Sequence, residues 1–424
     1  MEIFGIVLFA FGIFLSVCLH EAGHMGTAKA FGMKVTRYFA GFGPTLWSFR
    51  RGETEYGLKA IPAGGFVKIV GMTPQDDDVA PEDEPRAMWR YPVWKRTVVM
   101  SAGSATHFIL GAAILWGLFA FVPLPDTDKL GQEVPRIDAV SSCVREQWEF
   151  DPSTRSERRC VAGQDPASPA SAIGLRKGDM ITAINDRPVT SWNAMTEQVR
   201  AAGGQTVRVT YERDGASRNE SVTLPKVQRV KQSVIDDSNR TVESVTDADL
   251  EWVGQLGVSP AIPTTTHGPA EAFGMAGKYT VEMFERTFLA LQKFPEKVPK
   301  LWAALTGSER DPETPISVVG ASVIGGELFG RGMYAEVLLL LAGLNFFVGI
   351  FNLFPLLPLD GGHIAISWFE RARSWLYARI GRPDPGRVDY YKLMPVTYVV
   401  ILVFGGFTLL TVAADIVNPI KLPF

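Results

Sequence analysis

Cysteine and histidine are scarce in this chain: three and five residues among 424. Three cysteines close at most one disulfide, which excludes a fold stapled by several. Net charge is also small, −3 at pH 7, and gives no electrostatic reason to expect nucleic-acid binding. No single-sign run is long enough for a polyanion-binding tail, and the acidic stretch Asp76–Glu84 reads as a solvated loop. The apolar N-terminus lacks a preceding basic region and a following small-residue cleavage site, so it reads as a retained segment and not a signal peptide. No inverted or parallel repeat relates the apolar segments, which argues against a transporter.

The length allows two or three domains at ~100–200 residues each. Mean hydropathy is only +0.09, but the average hides clustering. Four stretches are apolar for the ~20 residues that a membrane helix needs. They run from Ile3 to Met25, Thr97 to Val122, Ala335 to Phe354 and Pro395 to Ala414. Lys29 to Arg96, between the first two, is rich in Lys and Arg, and so is Arg371 to Lys392, between the last two. Positive-inside bias puts both basic loops in the cytoplasm and both termini outside, together with the long region from about Pro123 to Gly332. Cys18 packs as a small apolar residue of the first run. Cys143 and Cys160 either close a short loop in that outer region or are two unrelated free thiols, and the topology supports the disulfide.

Residues 35–70 hold short aromatic and β-branched runs bounded by Gly and Pro, and read as a small β-unit beside the membrane. The stretch "TPQDDDVAPEDEP" after them is a loop. In the outer region, strand-like runs at Met180–Ile184, Thr206–Tyr211 and Arg218–Leu224 alternate with one helical run, Ser191–Ala201. With "G-L-x-x-G-D-x-I-x-x-I-N" from Gly174 to Asn185, this module resembles a bacterial, circularly permuted PDZ domain. Such folds accept a peptide as an added strand or act as steric modules only. Ala270–Lys300 has helical apolar spacing with Lys and Glu interleaved. It reads as an interfacial amphipathic helix or as a packed helix of the outer domain.

The end of the first span reads His20-Glu21-Ala22-Gly23-His24, the zinc-hydrolase pattern H-E-x-x-H. Positions i and i+4 share a helix face, so two imidazoles can reach one metal, and the adjacent carboxylate can take a proton from water. Ionisable groups inside a lipid-embedded helix are expensive and mark function. Catalytic zinc takes three protein ligands, and a third must come from elsewhere. His267 lies in the outer region. Asp360, in "NLFPLLPLDGGH", sits at the cytoplasmic end of the third span, at the depth of His20 and His24. Pro355 and Pro358 break the helix there, and irregular backbone at membrane depth is tolerated where it lines a wet cavity.

With both motifs present, the chain resembles the site-2 protease family of intramembrane zinc metalloproteases. Within it, the chain is similar to the regulator-of-sigma-E protease group, and its "SAGSATHF" form to the actinobacterial branch. The resemblance covers nearly the whole chain. It implies an α-helical membrane protein with four transmembrane helices, a membrane-associated β-hairpin unit and an inserted extracytoplasmic PDZ (α/β) domain. The parts would be residues 1–122 with the β-unit at about 35–70, a PDZ domain at 123–255, an amphipathic linker at 256–333, and the last two spans at 334–424. It implies one Zn2+ per chain on His20, His24 and Asp360, with Glu21 as general base. Asn352 matches a substrate-contacting asparagine; Gly41, Phe42, Gly43, Gly65, Phe66 and Val67 resemble the strands that hold an unwound substrate. His107 stands where many relatives have asparagine, as a metal-supporting residue or a packed helix histidine.

The implied activity is cleavage of single-span membrane proteins in the bacterial inner membrane: trimmed anti-sigma factors, or remnant signal peptides. Peptide C-termini would meet the PDZ module. A different class of function is a catalytically inactive membrane PDZ binding protein, which loss of a ligand or of Glu21 would favour; neither is lost.

Overall fold

A computed structural model describes every residue except 73–78, 127–130, 152–155, 236–241, 309, 312–313 and 421–424. Asp76–Asp78 of the acidic stretch lie outside the described residues. The chain divides into two compact units, residues 1–122 with 266–422, and 123–265.

The first unit is built on four helices long and apolar enough to cross a membrane. Helix α1 (Glu2–Ala30) ends with Lys29 in its last turn, where a cation suits the dipole, and Gly32 follows at φ +81°. Strands β1 (Val35–Arg51) and β2 (Thr54–Ile69) come next, and helix α2 (Val93–Phe121) starts directly after Pro92.

The sequence reading has short runs in this β-unit; the structure has two long strands, each bent back on itself. Gly41, Gly43 and Gly64 take positive φ, beside Pro44 and Pro62, so the chain turns its corners without leaving the sheet. Consequently Ala40 has two register partners, Gly65 on one side and Leu58 on the other. Residues 64–69 form one edge of the sheet, and a cluster of Ala28, Met33, Val35, Ile69, Met88, Val99 and Met100 fixes that edge to α1 and α2.

In the second unit, β3 (Ile137–Val140) precedes β4 (Met180–Ile184), the two-residue β5 (Arg187–Pro188), helix α3 (Trp192–Ala201), β6 (Thr206–Arg213) and β7 (Ala216–Thr223). The sheet order is β7-β6-β4-β5. Ser191 caps α3 by accepting from the Ala194 amide. Alternate residues Val207, Val209 and Tyr211 point into a core with Ile181, Ile184, Met195 and Leu224. Asp179 accepts two bonds from the Arg213 guanidinium, both 2.7 Å, and one from the Arg176 amide at 2.8 Å. That pairing is the physical reason for a carboxylate in "KGD". Two further pairs, β8 (Lys226–Val230) with β9 (Leu250–Gly254) and β10 (Val258–Pro260) with β3, complete the unit. Cys143 and Cys160 are joined in a disulfide.

Of the segment read as an amphipathic linker, 256–265 belong to the second unit and the rest forms three helices of the first: α4 (Pro269–Gln292), α5 (Phe294–Leu305) and α6 (Val318–Gly330). Helix α4 buries its apolar face on α2 and α7 (Tyr334–Asn352): Phe284 meets Phe108 and Phe346, with ring centroids 4.8 and 5.6 Å apart. It is therefore part of the first unit and not of the second, and Phe273, Val281, Phe288 and Leu289 on its other side stay more than half exposed. Spacing of apolar residues marks a face to be covered, and does not say by what. Helix α6 packs on α1 through small residues; a Cβ on Gly326 would lie 2.2 Å from Ile6 and one on Gly325 2.6 Å from Phe9. Helices α8 (Asp360–Arg379) and α9 (Met394–Val417) complete the chain. Asp415 of α9 is buried against Arg310 at 2.7 Å and accepts the Ser317 amide at the start of α6.

Candidate metal centre

His20 and His24 are one helical turn apart on α1 and both buried. Asp360 is the first residue of α8, where the helix N-terminus favours a carboxylate. The two glycines after it are a packing requirement. A Cβ on Gly361 would lie 2.1 Å from the Leu353 carbonyl oxygen, and one on Gly362 2.7 Å from the Leu356 carbonyl carbon. "DGG" thus lets α8 start hard against the chain that leaves α7.

The three side chains meet. His20 Nε2 is 3.1 Å from His24 Nε2, and Asp360 Oδ2 is 3.3 Å from each. Tetrahedral zinc with arms of ~2.0–2.2 Å puts its ligand atoms about 3.3–3.5 Å apart, so the spacing fits. The chemistry fits as well. His24 Nδ1 lies 2.7 Å from the Val99 carbonyl oxygen and donates to it, so the neutral ring carries its lone pair on Nε2. That lone pair faces a second imidazole nitrogen and a carboxylate oxygen with nothing between them but a place for a cation. Among the described residues this is the group of metal-ligating side chains close enough to hold one ion.

Helix α2 closes the centre from behind. Gly103 is so near that a Cβ there would lie 2.5 Å from His20 Cε1 and 2.5 Å from His24 Nε2. Gly23 on α1 makes the reciprocal approach, 2.7 Å from the Ala102 carbonyl oxygen for an added Cβ. The His107 ring packs on His20 with centroids 5.0 Å apart. Its Nδ1 is 2.8 Å from Asn345 Oδ1, while Asn345 Nδ2 donates to the Leu341 carbonyl at 2.8 Å. The second bond fixes the amide, so His107 must carry its proton on Nδ1.

Glu21 points away from the histidines' far side and toward the sheet. Its Oε2 accepts the Val67 amide at 3.0 Å, from the edge strand residues 64–69. Gly65 is equally close: a Cβ there would lie 3.5 Å from Glu21 Cγ. Phe66 stacks on Phe39 and Phe42, with centroids 5.6 and 6.2 Å away. Gly41 and Gly43 are corner residues of the sheet. Asn352 ends α7 half-buried and makes no hydrogen bond to the three donors among the described residues. His267 pairs with Glu271 at the start of α4, at 3.0 Å.

Sequence reasoning missed Asn345 and Gly103. A lone amide in the apolar run "LLLLAGLNFF" was a readable signal, because a polar side chain there needs a partner. Gly103 had none, since its role is set by a neighbour distant in sequence.

A family model for Peptidase family M50 matches residues 8–381. The chain is 43% identical over 427 residues to the Zinc metalloprotease Rip1 of Mycolicibacterium smegmatis, covering 99% of this chain and 98% of that one. It is 40% identical over 433 residues to the Zinc metalloprotease Rip1 of Mycobacterium tuberculosis, covering 100% and 99%. A putative zinc metalloprotease of Brucella suis is 26% identical over 418 residues, covering 95% and 93%. The matched span includes both halves of the centre, and the chain therefore belongs to peptidase family M50, the site-2 proteases, and is an intramembrane zinc metalloprotease.

Proposed function

We propose that this protease cuts single-span membrane proteins within or near their transmembrane segment, once the outer part has been removed. His20, His24 and Asp360 would hold the zinc, which when bound would supply Lewis acidity and a more acidic water. Glu21 takes the proton from the attacking water as the C–O bond forms. It returns that proton to the nitrogen as the C–N bond breaks, so the carboxylate ends as it began.

The observation that carries the reading is the bond between Glu21 and the Val67 amide. A helical peptide bond is sheltered by its own hydrogen bonds and must become extended before water can attack. A strand edge supplies partners for the freed backbone. Here the proposed base lies on such an edge, so a segment paired beside Gly65–Val67 passes the zinc ligands. Asn352 and the corner Gly41–Gly43 would steady the same segment.

The second unit is proposed to be a PDZ domain that screens substrates, by bulk or by holding a new C-terminus. In the orientation that the basic loops favour, it and both termini face outward from the bacterial inner membrane. Trimmed anti-sigma factors are the proposed substrates, with remnant signal peptides as a second group. The test is cleavage of one single-span protein, intact and trimmed outside, by reconstituted enzyme. Cleavage of the trimmed form alone supports the reading. Equal cleavage of both removes the screening role, and cleavage of neither by a zinc-loaded chain would refute this substrate class.

A further inference from the structure

A cavity lined by charged and aromatic side chains lies away from the zinc ligands, where α2 begins and α8 passes it. It has a volume of about 540 Å3. Arg96, Arg371 and Arg387 line it, against Glu370 and Asp384. Both carboxylates are already engaged. Glu370 pairs with Arg96 at 3.3 Å and accepts the Val388 amide at 2.8 Å. Asp384 Oδ1 accepts from the Ser374 hydroxyl and the Gly386 amide. These bonds, with the Arg373 guanidinium on the Gly386 carbonyl at 2.6 Å, fasten the 384–388 loop to α8, so the cavity is built in advance.

The cations are less committed. The Arg387 Cζ lies over the Trp89 ring, 4.3 Å from its centroid. Stacking uses the face of a guanidinium and leaves its N–H edge free, the geometry that grips a phosphate. Arg371 is exposed, and neither it nor Arg387 has an ion-pair partner among the described residues. Arg96 Nε is buried without a hydrogen-bond partner.

The rim says which phosphate. Trp94, in the first turn of the spanning helix α2, is 55% exposed, and Trp368 on α8 is 53% exposed. Indoles at the end of a spanning helix sit at headgroup level, with their apolar bodies toward the acyl chains. Basic pockets between helices at that level suit acidic headgroups. We infer that the cavity between α2, α8 and the 384–388 loop binds the headgroup phosphate of an anionic phospholipid. The arginines take the phosphate, and Trp94 and Trp368 lie against the first part of the chains.

The experiment titrates phosphatidylglycerol with brominated acyl chains onto the zinc-loaded, full-length protein in neutral detergent, reading tryptophan quenching. Arg371→Gln with Arg387→Gln should weaken the apparent affinity about thirty-fold, at roughly one factor of five for each cation removed. Both side chains are exposed, so zinc content and melting temperature should not change. Brominated phosphatidylcholine should quench without saturating, and inorganic phosphate at matched concentration should not displace the acidic lipid. Equal affinity in wild type and the double variant overturns the inference, as does equal saturable binding of phosphatidylcholine. Displacement by inorganic phosphate overturns it in favour of a soluble anion.

Discussion

Gly103→Ala adds one methyl group in the worst place available. The new Cβ would lie 2.5 Å from His20 Cε1 and from His24 Nε2, and 2.6 Å from His20 Nε2. Relief to ordinary contact, ~3.4 Å or more, needs a shift of roughly 1 Å, whereas zinc ligand distances tolerate about 0.2 Å. The methyl group cannot swing aside, because it has no rotamer. Either α2 backs away from α1, or both imidazoles turn. Overpacking of this kind costs about 1–3 kcal/mol. Taken up at the ligands, that is about a 5- to 150-fold loss of zinc affinity. The assay is competition for zinc against a graded chelator on solubilised full-length protein. Gly117→Ala is the matched control: it sits on the same helix with nothing within 4 Å, and should leave affinity unchanged. Wild-type affinity and activity in Gly103→Ala would refute the packing argument.

Other expectations follow from the same contacts. His107→Ala removes the ring that backs His20 and strands the Asn345 amide, so zinc affinity should fall about 10- to 100-fold by chelator competition, with His107→Asn losing less. Asp415→Ala leaves the buried Arg310 cation without its carboxylate, held only by neutral partners such as the Thr314 hydroxyl and the Pro315 carbonyl, at a cost of about 3–5 kcal/mol in unfolding measurements. Replacing both residues by apolar ones should recover most of it. In the second unit, burial works to raise the Asp179 carboxyl, but the Arg213 guanidinium and the Arg176 amide outweigh it and hold it below the usual carboxylate range. A pKa lowered by folding adds stability that is present above the unfolded value, ~3.9, and lost as pH falls through the folded one. Acid melting of the protein with Asp179→Asn should therefore lack part of the loss seen below about pH 4.

Much of this molecule could be read from its sequence because the bilayer is a demanding solvent. A run such as Ile3–Leu19 has few other fates, and a Glu and two His at its end have no cheap bland explanation. Asp360 was legible as a candidate third ligand from the broken helix and "LDGG", and its Oδ2 lies 3.3 Å from each imidazole nitrogen. What could not be read was how pieces meet. The apolar face of 269–292 announces a partner without naming α2 and α7. The corners at Gly41, Gly43 and Gly64 look like strand ends until the second register appears. Asn345 signals that it needs a partner without naming His107, and Gly103 depends on neighbours far away in the chain, for which one sequence holds no signal.

The central claim is that one zinc sits between α1 and the start of α8, with Glu21 acting beside it on the edge strand. The most direct measurement is zinc per chain together with cleavage of a trimmed single-span substrate, for wild type, Asp360→Ala and Glu21→Gln. The account predicts one zinc and cleavage for wild type, weakened zinc and no cleavage for Asp360→Ala, and one zinc without cleavage for Glu21→Gln. Undiminished zinc affinity in Asp360→Ala, or cleavage by Glu21→Gln at the wild-type rate, would contradict it.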